Sequence, residues 1–167
     1  MVDVRIVEAP ARVLIGLEAK FRHALSAESN AATTIPPLWD TFAPRIAEIG
    51  TRSEPVCYGL ITGDPVDQRA HPDELRYLAC VPVREGAAAP EGMVLRTLPA
   101  GTFAAFTLVG PIREIGTHCR TIYESWLPAS EYRHAGIADL ELYDARFNSD
   151  SDESVIEYWI SIEPRPA

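Results

Sequence analysis

The sequence predicts an α+β fold, in which two pseudo-symmetric β-α-β-β units form a concave antiparallel sheet with helices on one face and a central ligand groove. Three observations predict it. Stretches of period two alternate with two stretches of helical period. The second half of the chain restates the element order of the first. A chain of 167 residues that is 47% hydrophobic is long enough for one buried core and too short for two ordinary domains. Residues 1–167 are therefore read as a single domain, with halves at about 1–85 and 92–165.

Residues 2–20 read as strand, and Pro10, which cannot donate to a ladder, marks an edge or a bulge within it. Residues 23–34 carry Ala, Ser, Asn and Thr without a period and read as a loop with a helical start. Over residues 34–50, Thr34 can cap a helix, and Leu38, Phe42, Ile46 and Ile49 share one face of it. Gly50 supplies the stop, and Pro44 predicts a kink. Residues 56–62 and 74–83 are strands, with the turn residues Gly63, Asp64 and Pro65 closing the first. The loop REGAAAPEG, residues 84–92, separates the halves.

In the second half, residues 93–109 give two strands around the bend at Pro99, Ala100 and Gly101. Ile112, Ile115, Cys119, Ile122 and Trp126 then step by three and four, an amphipathic helix that Pro128 ends. Residues 137–147, IADLELYDARF, form a strand that alternates, and residues 155–163 close the chain as another. Laying 74–83 on 155–164, at an offset of 81 residues, pairs Tyr77 with Tyr158 and Leu78 with Trp159. The strings LWDTF and IYESW correspond at an offset near 84, and EAPARV and LPAGTF at one near 89. Three matches in the same order indicate a duplicated unit. If each helix covers one face of its own sheet, the uncovered faces meet in a groove on the pseudo-twofold axis.

With 24 acidic against 15 basic side chains, the net charge is −9 and the basic residues are scattered. Such a surface repels phosphate backbones and anionic lipid, so neither direct nucleic-acid binding nor membrane-surface binding is expected, and the same field attracts cations. No run approaches the roughly 18 apolar residues of a membrane span. The N-terminal residues lack the basic and apolar regions of a signal peptide, so a cytoplasmic location is expected. Cys57, Cys80 and Cys119, and the dispersed His23, His71, His118 and His134, show no ligand spacing, so no metal and no cofactor is expected. The acidic run NSDSDES lacks the regular oxygen spacing of a calcium loop.

The strand at 137–147 carries the candidate chemistry. Its alternation sets Leu140 and Leu142 on one face and Glu141 and Tyr143 on the other. With the leucines in the core, a carboxylate beside a phenol faces a ligand site; the alternative is a half-exposed strand with a solvated Glu. Glu124 and Glu157 read as solvated, and Trp126 as core.

The second half also resembles a known family. PAGTFAAFTLVG, then a helix, then WLPASEYRHAGIADLELYD and IEYWISIEP are similar to the GyrI-like small-molecule-binding domain, the effector-binding module also found in AraC-type and MerR-type multidrug regulators. The first half fits more loosely, through Trp39 in PPLWDTF and through Tyr58 and Gly59. Phe103, Leu108, Glu131 and Ser161 stand where the family commonly has Tyr, His, Gly and Pro.

The resemblance implies that Glu141 sits in the central groove and meets a cationic or aromatic amphiphile, with Trp39, Tyr58, Phe106, Tyr143 and Trp159 as candidate walls. Trp39 also reads as helix-to-sheet packing, and Trp159 faces the groove if Tyr158, Ile160 and Ile162 face the helix. Three functions follow as expectations. The first is a stand-alone binding protein for small molecules, which would need a partner chain for any transcriptional role because no helix-turn-helix is read. The second is a hydrolase of reactive electrophiles with Glu141 as general acid or base. The third is a regulator or inhibitor of a protein partner, such as a transcriptional regulator or a topoisomerase. A haem-binding relative of this fold is more distant, since no His falls at an axial position.

Overall fold

A computed structural model describes residues 3–167, so Val2, which the sequence places in the first strand, lies outside the described residues. Eight strands form one sheet: β1 (Asp3–Ala9), β2 (Arg12–Arg22), β3 (Cys57–Thr62), β4 (Glu74–Val83), β5 (Val94–Leu98), β6 (Gly101–Val109), β7 (Tyr132–Tyr143) and β8 (Val155–Pro164). Their order is β1-β6-β8-β7-β3-β4-β2-β5, and every neighbouring pair is antiparallel. Read from either end, the order runs through equivalent strands of the two halves. The axis passes between β7 and β3, where Leu60 pairs with Leu140. The offset of 81 residues is realised in the pairing: Leu60 faces Leu78 as Leu140 faces Trp159, and Ile61 faces Tyr77 as Glu141 faces Tyr158.

Pro10 makes no bulge within one strand; it follows β1, which is an edge strand of the sheet. It marks a change of partner, because β1 joins β6 of the other half while β2 pairs with β4 and β5. In the same way β5 leaves its own half to pair with β2. Only Pro10 and Ala11 connect β1 to β2, and only Pro99 and Ala100 connect β5 to β6. Each link spans about 10 Å at most, whereas six strand spacings in a flat sheet amount to about 29 Å. The sheet must therefore curl until its two ends approach each other.

The inside of that curl is a core made by the sheet alone. Leu14, Tyr58, Leu60, Leu78, Phe103, Leu140 and Trp159 fill it, and they are all buried. The outside carries the helices. Helix α1 (Ala31–Phe42) begins three residues before the expected cap, after Asn30, and Pro44 turns its continuation into the 3-10 segment Ala43–Glu48. It packs on Ile15, Phe21, Tyr77 and Val81. A short helix, α2 (Pro65–Ala70), stands where the sequence shows only turn residues, and its start is chemically marked: the Asp64 side chain accepts from the Val66 amide at 2.7 Å, and Pro65 occupies the first turn.

Helix α3 (Ile115–Thr121) passes into a π turn at Ile122–Trp126 and a last helical turn at Leu127–Ala129. Its apolar stripe covers Ala104, Phe106, Tyr158 and Ile160. No helix of the described residues is long and apolar enough to cross a membrane.

Candidate functional site

The sequence places the groove on the uncovered faces; the structure places it on the other side of the sheet. The uncovered face is closed by the curl and filled with side chains. A cavity of about 560 Å³ lies instead on the helix-bearing face, between α1 and α3, over the seam of β3 and β7. Its walls are mainly apolar, with Phe21, Ile35, Ile61, Leu75, Ile115 and Tyr123 prominent. Neither lysine nor arginine lines it among the described residues. Two carboxylates do, Asp139 and Glu141, two residues apart on β7 and hence on the same face.

Glu141 is 5% exposed. Its Oε2 accepts hydrogen bonds from the Tyr77 hydroxyl at 2.5 Å and the Tyr143 hydroxyl at 2.6 Å. The Tyr77 oxygen in turn accepts from the Trp39 indole N–H at 2.9 Å. Because an indole can only donate, the Tyr77 proton must point at the carboxylate. Oε1 accepts no hydrogen bond among the described residues. Burial pushes the Glu141 carboxyl up to about 6, against the two phenols, which favour the ionised form, and with a further push from Asp139. Tyr77 and Tyr143 are raised well above the usual phenol range, first by burial and then by the adjacent carboxylate, so they remain donors.

Asp139 is satisfied differently. Its Oδ2 accepts from the Tyr158 hydroxyl at 2.8 Å and from the Tyr123 hydroxyl, and its Oδ1 meets His134 Nε2 at 2.8 Å. The Gly136 amide donates to His134 Nδ1 at 2.9 Å, so the ring proton is on Nε2 and points at Asp139. A bulge between His134 and Asp139, with Gly136 at φ +74°, makes this loop-back possible. Asp139 therefore ties the π turn, β8 and the bulge together, while Glu141 leaves one oxygen without a hydrogen bond among the described residues.

Of the sequence-derived candidates, the structure brings together Glu141, Tyr143 and Trp39; Trp39 stands behind Tyr77 and meets Tyr143 edge-on, with ring centroids 5.5 Å apart. Of the six, Glu141 alone lines the cavity; Tyr143 and Trp39 stand behind it, and Phe106, Tyr58 and Trp159 lie apart from it. Phe106 is fully buried beneath the π turn, 4.9 Å edge-on to Trp126. Tyr158, Ile160 and Ile162 do face the helix, so Trp159 faces away from it, but that side is the sheet's own core.

Tyr58 lies on the same inner side as Trp159. The Arg12 guanidinium sits over both rings, at 5.2 and 5.4 Å from their centroids, and donates to the Tyr58 hydroxyl at 2.6 Å. Glu157 is not solvated: it is 5% exposed and accepts from Arg5 at 2.7 Å, Trp159 Nε1 at 2.9 Å and Arg146 at 3.0 Å. Sequence reading missed Asp139, Tyr77, Tyr123 and Tyr158. The alternation that flagged Glu141 and Tyr143 carries Asp139 with them, and the paired Tyr77 and Tyr158 were already visible in the repeat.

Residues 2–163 match the GyrI-like family, described as a GyrI-like small molecule binding domain. The chain belongs to this family. It is 34% identical over 160 residues to the transcriptional regulator BrlR of Pseudomonas aeruginosa, a match that covers 95% of this chain and 54% of BrlR. The chain thus spans about half the length of that relative. Among solved structures, SAV2435 bound to tetraphenylphosphonium superposes with a TM-score of 0.73 at 11% identity, over 96% of this chain and 94% of that one. The EcmrR C-terminal domain superposes with a TM-score of 0.67 at 14% identity, over 99% of both chains. At these identities the structural likeness establishes the fold. Among the described residues no group of His, Cys, Asp and Glu could hold a metal ion.

Proposed function

We propose that this GyrI-like domain binds lipophilic organic cations in the cavity over the β3–β7 seam, with Glu141 as the counter-charge, and acts as the ligand-sensing part of a regulatory system. The observation that carries this reading is Glu141 itself: a buried carboxylate, held by two phenols, with one oxygen free toward a mainly apolar cavity that neither lysine nor arginine lines among the described residues. A delocalised cation loses little hydration on entering such a site and gains both the charge and the apolar contact. BrlR is a transcriptional regulator, and a solved structure of SAV2435 is bound to tetraphenylphosphonium; both agree with a sensing role for a cation site. Calorimetry with tetraphenylphosphonium and the neutral triphenylphosphine oxide tests it. Saturable binding of the cation, with the neutral compound weaker, is expected; equal affinities would remove Glu141 from recognition.

A second reading, hydrolysis of a reactive electrophile, draws on the same carboxyl, which at about 6 is poised to exchange a proton near neutral pH. Turnover of an epoxide or strained-ring substrate that vanishes in Glu141→Gln would favour it; retained turnover would exclude Glu141 as the acid or base.

A further inference from the structure

The cavity's asymmetry originates in one residue without a side chain. The pseudo-twofold axis at Leu60 and Leu140 makes Gly59 the counterpart of Asp139 and Ile61 the counterpart of Glu141. Tyr77 and Tyr158 are counterparts too. In the second half Tyr158 donates to Asp139 on the adjacent strand. In the first half the equivalent acceptor is missing, because position 59 is glycine.

Tyr77 therefore reaches further. It stands on β4, two strands from β7 and so about 10 Å away across the sheet, and its ring passes over β3 at Gly59 to donate to Glu141. A Cβ at position 59 would lie 2.5 Å from Glu141 Oε2, 2.6 Å from Tyr77 Cζ and closer still to the Tyr77 hydroxyl. The backbone there does not call for glycine, since the positive-φ glycines are Gly86, Gly92, Gly110 and Gly136.

We infer that Gly59 is a specificity-determining positioning residue: its missing side chain is the space through which Tyr77 crosses β3 to clamp Glu141, and it thereby fixes the cavity's preference for cations over neutral ligands. The inference rests on the cation-binding reading above. Any side chain at position 59 displaces the phenol, the carboxylate or both. The buried charge then loses one of its two donors.

The test is Gly59→Ala in the full chain, with two readouts. The first is the titration of the Glu141 carboxyl by carbon-13 NMR without ligand, assigned by its loss in Glu141→Gln. The second is tetraphenylphosphonium and triphenylphosphine oxide affinity from pH 5 to 9. The inference expects the Glu141 midpoint to move upward and cation affinity at pH 7 to fall about tenfold, with the neutral compound little affected. A titration curve and affinities that superpose on the wild type would overturn it. If the wild type binds no cation but Gly59→Ala still displaces the titration, the positioning role stands and the cation reading fails. If Gly59→Ala does not fold, Gly59→Ala/Tyr77→Leu removes the hydroxyl and the Cζ that the new methyl meets. Recovery of folding supports the inference, and continued failure to fold refutes it.

Discussion

Glu141→Gln isolates the charge of the site while keeping its shape, because the amide oxygen can still accept from Tyr77 and Tyr143. A cation about 4 Å from the ionised carboxylate gains about 4 kcal/mol at an effective dielectric of about 20, and hydrogen bonding to the phenols takes some of that charge. A loss of about 2–4 kcal/mol in tetraphenylphosphonium affinity at pH 8 follows, or about 30- to 1,000-fold. The same structure sets the pH dependence. Glu141 titrates at about 6, so at pH 5 about a tenth of the wild type is ionised and the gap between it and the variant narrows about tenfold.

Stability moves with the same group. The folded carboxyl is raised above its ordinary 4.5, so its protonated form is favoured by folding. That contribution is fully present below pH 4.5 and is lost as pH rises through about 6, an amount of about 2 kcal/mol. The glutamine variant has no such titration. Its melting temperature relative to the wild type should therefore rise by about 4–8 °C between pH 4.5 and pH 7. Calorimetric titration and scanning calorimetry at both pH values measure the two effects. Equal cation affinity at pH 8, or a difference that persists unchanged at pH 5, would refute the role assigned to Glu141.

Three further perturbations test other parts of the structure. Tyr143→Phe removes one of the two hydrogen bonds that favour the ionised form of Glu141, so the pH at which cation affinity is half-maximal should move above about 6; an unchanged midpoint would contradict the clamp. Leu140→Ala empties a fully buried position in the core inside the curl and should cost about 2–5 kcal/mol by urea denaturation. Under conditions where that variant remains folded, tetraphenylphosphonium affinity should be nearly unchanged, because Leu140 points away from the cavity. Gly16→Ala sets a methyl against the backbone of Ala79 and 2.7 Å from the Cys80 Cα, neither of which can yield without parting β2 from β4; soluble expression should collapse, and a normal melting curve would show that this strand pair is looser than described.

Much of the fold was legible because period-two segments and a repeat are properties of the chain alone. The strands at 56–62, 74–83 and 155–163 correspond closely to β3, β4 and β8. Boundaries were missed where local chemistry competed with the pattern. Helix α2 hides in a polar stretch, and β7 starts at Tyr132 because a bulge at Gly136 interrupts the alternation that the sequence follows only from Ile137.

The site divided along a different line. Glu141 and Tyr143 are neighbours on one strand face, so alternation alone was enough to associate them. Tyr77 meets Glu141 from 64 residues away, and only the pairing of β4 through β3 to β7 brings it there. Tyr58 and Trp159 carry the same aromatic chemistry, but they stand on the other parity and face the other side of the sheet.

By itself the sequence determined that β7 has a leucine face and an acidic face, that two similar units pair, and that the chain carries a surplus of negative charge. It did not determine which face stays open. Period two defines two sides of a strand without saying what covers either one. That was decided by the exchange of β1 and β5 between the halves through two-residue links, which forces the sheet to curl, seals the leucine side as core, and leaves the space between α1 and α3 to Glu141.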